Sequence, residues 1–82
     1  MKTGMYVIFD QKAQIFNTPF HQPNEAVLIR TATDLRNDPN SEISRHPEDY
    51  LLYHVADYEN DTGEVTAVDK TLMINFAEIP AQ

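Results

Sequence analysis

Along Met5-Tyr6-Val7-Ile8-Phe9-Asp10, apolar side chains stand at odd and even positions alike, which suits a strand covered on both faces rather than one half open to water. Such a strand belongs in the middle of a sheet. After a polar break at 10–13, Gln14 to Phe20 is predicted to return as the second strand of a hairpin. Pro19 has no amide donor, so it ends that strand or confines it to an edge. The period then changes. Leu28, Ala32 and Leu35 recur at helical spacing, widened by Val27 or Ile29, while Arg30, Asp34 and Arg36 fall mostly outside the stripe. Asn24 is the predicted N-cap, and Glu25 places an acid in the first turn, where the helix dipole favours it. Asn37-Asp38-Pro39-Asn40 ends the helix, because the residue before a proline is pushed out of the helical region.

Ser41 to Asp49 reads as a polar connection, with room for one helical turn at 47–50 led by Pro47. Leu51 to Tyr58 is the predicted third strand. Glu59 to Gly63 forms its turn, Glu64 to Val68 the fourth strand, and Thr71 to Ala77 the fifth, with a short helix over Met73 to Glu78 as the competing reading. Residues 80–82 are expected to be a disordered tail. The predicted fold is α+β, in the order β-β-α-β-β-β, with an antiparallel sheet and one helix on one face. One helix leaves the other sheet face and the edges uncovered, so a homodimer or higher homo-oligomer is predicted.

The 82 residues form one domain, of a size that buries roughly 60 to 65% of the unfolded chain's surface, so its stability should be modest. With no cysteine there is no disulfide, thiolate metal site or thiol nucleophile, which fits a reducing compartment. No apolar run approaches the ~20 residues that span a bilayer, and the first residues lack the pattern of a signal peptide. A soluble, non-exported protein without a membrane role is expected.

Thirteen Asp and Glu against six Lys and Arg give a net charge of −7, and Glu48 to Asp69 contains no Lys or Arg at all. Proteins that bind nucleic acid by neutralising phosphates need clustered cations. Here the cations are scattered, and only Lys12, Arg30 and Arg36 are candidates for a small basic patch. Among the aromatics, Tyr6, Tyr53 and Tyr58 are the candidates for stacking on single-stranded bases.

His46-Pro47-Glu48-Asp49 sets an imidazole beside two carboxylates, the residue types of a metal site or an acid–base pair. Neighbours in sequence seldom converge on one ion without a ligand from elsewhere, such as His21 or His54. The stretch is therefore read as a structural loop, in which Glu48 or Asp49 caps backbone amides and His46 hydrogen-bonds across the loop. Ser41 and Ser44 lack the glycine-rich surroundings of an oxyanion hole. Asp57, Glu59 and Asp61 fail the spacing of a calcium loop. No catalytic residue, metal or cofactor is expected, and the chain is not expected to be an enzyme.

One ordered series of motifs is more specific: Tyr6 to Ala13, Thr18-Pro19-Phe20, Asn24-Glu25-Ala26, Arg30, Asp34 to Asp38, His46 to Tyr53, and Asp61-Thr62-Gly63. From Met5 to Gly63 the chain resembles the small nonstructural protein of gokushoviruses, the Microviridae subfamily of small single-stranded DNA bacteriophages. The resemblance implies a protein made during infection, outside the capsid and in the host bacterial cytoplasm. It also implies a link to viral DNA replication, by analogy with the microvirus protein that helps switch synthesis to single-stranded genomes. It brings no catalytic residues. The implied partner is a phage or host replication protein, with single-stranded DNA as the alternative and inhibition of a host factor as a third reading.

Overall fold

The computed structural model describes residues 1–82. Strand β1 (Lys2–Asp10) takes the central place that its two-faced apolar pattern predicts. Antiparallel to it on one side runs β4 (Tyr50–Glu59), which in turn pairs with β5 (Glu64–Asn75). Its other side is shared end to end by two short strands, β2 (Ile15–Phe16) and β3 (Phe20–Gln22). Helix α1 (Glu25–Asn37) and the single-turn helix α2 (Glu42–Arg45) connect β3 to β4.

The chain is mixed α and β with an antiparallel sheet, as expected, but the order is β-β-β-α-α-β-β. Three differences have local causes. The predicted second strand is broken in two, with Asn17, Thr18 and Pro19 between the halves, where proline has no amide to give to the ladder. Ser41 Oγ accepts from the Ile43 amide at 3.1 Å and so caps α2, whose Ile43 is buried, inside a stretch read as polar connection. The predicted fourth and fifth strands are one, because β5 passes through Asp69 and Lys70 by shifting register against β4. Beyond β5, Asn75 Oδ1 accepts from the Ala77 amide at 3.0 Å and starts a 3-10 turn, so both readings of the last segment hold in part.

Local signals behave as predicted elsewhere. Asn24 Oδ1 caps α1 by accepting from Val27 N at 2.9 Å. Gly63 has φ +78° in the β4–β5 turn, the left-handed conformation for which glycine carries no penalty.

The core lies between α1 and one face of the sheet. Tyr6 and Ile8 of β1, Tyr50 and Leu52 of β4, Leu28 and Ala32 of α1, Ile43 of α2 and Phe76 form one buried cluster. No helix packs on the opposite face, where the strands' own side chains leave Val7 only 4% exposed.

Candidate functional site

Two surfaces carry side chains of chemical interest. The first is the uncovered sheet face. Residues directly opposite one another on paired strands share a face. The pairs Phe9 with Phe16 and Leu51, Val7 with Tyr53, and Tyr53 with Leu72 therefore lie together, away from the helices. The pairs Met5 with His21 and Ala56, and Thr3 with Tyr58 and its partner Val65, continue this face toward the other end. Its aromatic rings form a row: Phe9 to Phe16 is 4.4 Å between centroids, and Phe16 to Tyr53 is 6.1 Å. The Lys70 ammonium stands 4.5 Å above the Phe16 ring and 5.2 Å from that of Tyr53. Attraction to the ring quadrupoles holds it there without a carboxylate partner. At the far end His21 Nε2 lies 2.6 Å from Thr3 Oγ1, and its ring meets Tyr58 edge-on at 6.0 Å.

The second surface is a polar hollow of about 590 Å³ lined by Asp10, Lys12, Glu42, Arg45, His46, Glu48, Asp49 and Tyr50. It is built by α2, the 3-10 turn Pro47–Asp49 and the end of β1, and is tied together by Gln11 N donating to Asp49 O at 2.8 Å. Ligand-type atoms of His46, Glu48 and Asp49 come within 4.8 Å of one another, closer than adjacency in sequence led us to expect. His21 and His54 take no part, since His21 bonds Thr3 and His54 Nε2 bonds Asp57 Oδ1 at 2.9 Å. Lys12 and Arg45 line the same hollow and offset the carboxylates. His46 and Glu48 are mostly exposed, an arrangement closer to a solvated loop than to a closed metal centre. The expected capping by Glu48 or Asp49 is not there. His46 Nδ1 instead lies 4.0 Å from Glu48 Oε1, and the cap in this region is Ser41.

The six predicted contact residues are not brought together. Tyr6 is the clear correction: it is 6% exposed, packed in the core against Phe20 and His54, and has no free ring face to offer a base. Even-numbered residues of β1 face α1, whereas Tyr53 and Tyr58 are half-buried on the other side. Arg36 is occupied, with Nε donating to Ile79 O at 3.1 Å and Nη1 to Ser44 O at 3.4 Å, so it ties the C-terminal segment to α1. Lys12 faces acids in the hollow, and Arg30 is exposed on α1. Phe16 and Lys70 were missed. The aromatic nature of Phe16 was visible in the sequence, but the place of Lys70 depends on the register shift in β5.

Two tyrosine hydroxyls titrate late. Burial pushes Tyr50 above the usual 10.0, helped by Asp10 and by the Glu42 carboxylate that accepts its hydrogen bond at 3.2 Å; burial does the same for Tyr6, with Glu25 and Asp57 adding to it. A raised folded-state value means that the stabilising contribution is complete below pH 10.0 and is lost as pH rises through the higher folded value. In an alkaline titration followed by tyrosinate absorbance, part of the signal is expected to rise only together with unfolding. Glu42→Gln should move part of that late step to lower pH, and a titration in which all four tyrosines ionise as one class would contradict the assignment.

No helix is long and apolar enough to cross a membrane. No curated protein and no solved structure matches the chain. The family model described as phage ORF5 protein matches it over residues 3–79, from the second residue of β1 to Ile79, the residue that Arg36 holds. That span takes in every strand and helix of the fold, and the chain belongs to the phage ORF5 protein family.

Proposed function

We propose that this phage protein is a non-enzymatic accessory factor in replication of a single-stranded DNA genome, acting by contact with a phage or host replication protein rather than by coating DNA. The phage family and the resemblance to the gokushovirus nonstructural protein supply the setting. The observation that carries the mode of action is the dispersal of the cations on a chain of net charge −7. Lys12 and Arg45 face acids in one hollow, Arg36 is bonded to backbone carbonyls, and Lys70 lies on the bare sheet face. A chain that follows single-stranded DNA gains about 0.7 in salt slope per phosphate neutralised, and no row of cations here tracks a backbone.

Fluorescence anisotropy with a short oligonucleotide is expected to show weak binding with a shallow salt slope, while tagged protein pulled down from infected cells retains a replication protein under low-salt washing. A steep slope, or loss of every replication protein from the pull-down, would overturn the reading. The aromatic row of Phe9, Phe16 and Tyr53 favours direct single-stranded DNA binding as the second reading. Inhibition of a host factor would use the same kind of contact, and the identity of the captured protein distinguishes it.

A further inference from the structure

The bare sheet face differs from the rest of this acidic protein in its charge. Among its paired positions (Thr3, Met5, Val7, Phe9, Phe16, His21, Leu51, Tyr53, Ala56, Tyr58, Val65 and Leu72) there is no carboxylate. The paired acids of the same strands fall on the other side: Asp57 is opposite Gly4, Glu59 opposite Lys2 and Glu64, and Asp10 opposite Tyr50, in line with the core residue Tyr6, while Asp69 lies beside Lys70 in the stretch of β5 that the register shift leaves unpaired. Lys70 is the cation that reaches this face, and it sits on the edge strand.

The relief of the face is uneven. Phe16, Val65 and Leu72 stand proud at 44%, 59% and 50% exposure. Between them lie two hollows, one of about 420 Å³ lined by Val7, Phe16, Asn17, Pro19, Val55 and Lys70, the other of about 270 Å³ at Met5, His21, Tyr58 and Val65. Val7 and Ala56 form a dry floor at 4% and 7%. Four strand positions at ~4.8 Å spacing and about ten residues at ~3.3 Å make a face of roughly 600 to 700 Å² in projection, before side-chain relief is counted. That is close to the ~800 Å² that each partner commits to a stable interface.

We propose that two copies of this chain pack these faces together as a two-fold, face-to-face sandwich. Knobs and hollows on one patch are what an isologous contact requires, since each copy presents both. With no carboxylate on the paired positions, stacking brings no like charges of that kind together, while the acids of the helix layer point outward on each copy. Aligned sheets in such a sandwich stand ~10 Å apart, with their inner side chains interdigitated. Lys70 reaches from the edge strand β5 across the face to the Phe16 and Tyr53 rings, so on pairing its flexible stem must swing outward to keep the ammonium in water. The same face suits nucleic acid poorly, because a single cation offers one phosphate contact. The pairing goes beyond the proposed function and does not depend on it.

Sedimentation velocity or light scattering of the full chain over a micromolar concentration series is expected to give twice the 9.4 kDa chain mass, dissociating on dilution. Leu72→Lys and Phe16→Asp, each checked for native far-UV circular dichroism, should weaken the dimer by about tenfold or more. Val65→Lys tests the other end of the face if either variant fails to fold. Ile29→Lys, on the exposed side of α1 at 49%, should leave the dimer unchanged. A wild-type monomer throughout the series overturns the proposal, as does a dimer indifferent to all three face substitutions. A chain that stays monomeric and loses oligonucleotide binding on Phe16→Asp would assign the face to nucleic acid instead.

Discussion

Phe76→Ala is expected to destabilise the domain by about 3–5 kcal/mol, the usual cost of removing a fully buried aromatic ring that its surroundings cannot replace. Phe76 is wholly buried, and with Leu28 and Leu52 it is one of the three largest side chains with almost no exposure. Leu35, Met73, Ile74 and Ile79 pack against the cluster that contains it. The turn that places it is pinned from two sides, by the Asn75 cap and by Arg36 holding Ile79 O, so collapse into the cavity is restricted. An 82-residue domain has about 4–12 kcal/mol in total, so this single change removes a large share of it. Urea unfolding followed by circular dichroism measures the loss. It should be run at fixed protein concentration, because self-association would add to apparent stability by mass action. A change below about 1 kcal/mol would mean that the C-terminal turn is not docked as described.

Gly4→Ala should also destabilise, although replacing a strand glycine in ordinary backbone usually gains about 0.4–1 kcal/mol by restricting the unfolded chain. A Cβ at Gly4 would stand 2.3 Å from the Tyr6 hydroxyl oxygen, 2.5 Å from Cζ and 2.7 Å from Cε2. The ring has little room to retreat, with Phe20 at 6.2 Å and His54 at 5.2 Å between centroids. Overpacking of this kind costs about 1–3 kcal/mol, which exceeds the entropic gain and sets the sign. In a Tyr6→Leu background the obstruction is gone, and the same substitution should become neutral or stabilising. The double-mutant cycle is therefore expected to show coupling of about 1 kcal/mol or more, and additive effects would sink the explanation.

Both effects depend on which way a side chain faces, and the order of residues along the chain does not settle that here. Period-two alternation assigns faces only while a strand stays in phase with its neighbours. In this sheet β4 slips against β1 between Met5 and Tyr6, and β5 slips against β4 at two places. Each slip shifts the phase of the residues beyond it, so Tyr6, Tyr53 and Tyr58 could be recognised as sheet aromatics but not sorted between core and open face. The same slip carries Asp69 and Lys70 through β5 without ending it, between the strands expected at Glu64 to Val68 and Thr71 to Ala77.

The candidate surfaces were legible to different degrees. His46 to Asp49 leads from α2 into β4 through a 3-10 turn with Pro47 in its first position, as proline's fixed φ allows. The convergence of its three donor-type atoms is local to the 3-10 turn and Arg45 is its neighbour in α2, whereas Lys12 comes from the end of β1, a distant part of the chain.

The order of residues along the chain specifies the elements whose causes are local: a central β1 from its two-faced apolar run, α1 from its stripe and its Asn24 cap, and the β4–β5 hairpin from Gly63. The sequence also determined the acidic balance and carried the motifs of a phage family. Long-range packing set which face of each strand is buried, that β2 and β3 share one edge of β1, and that the paired positions of one sheet face carry no carboxylate. Caps and turns depend on contacts within a few residues, whereas burial, register and charge segregation depend on pairs such as Gly4 with Asp57 or Tyr53 with Leu72. Their energies come from packing across strands, and a linear chain does not display its cross-strand neighbours.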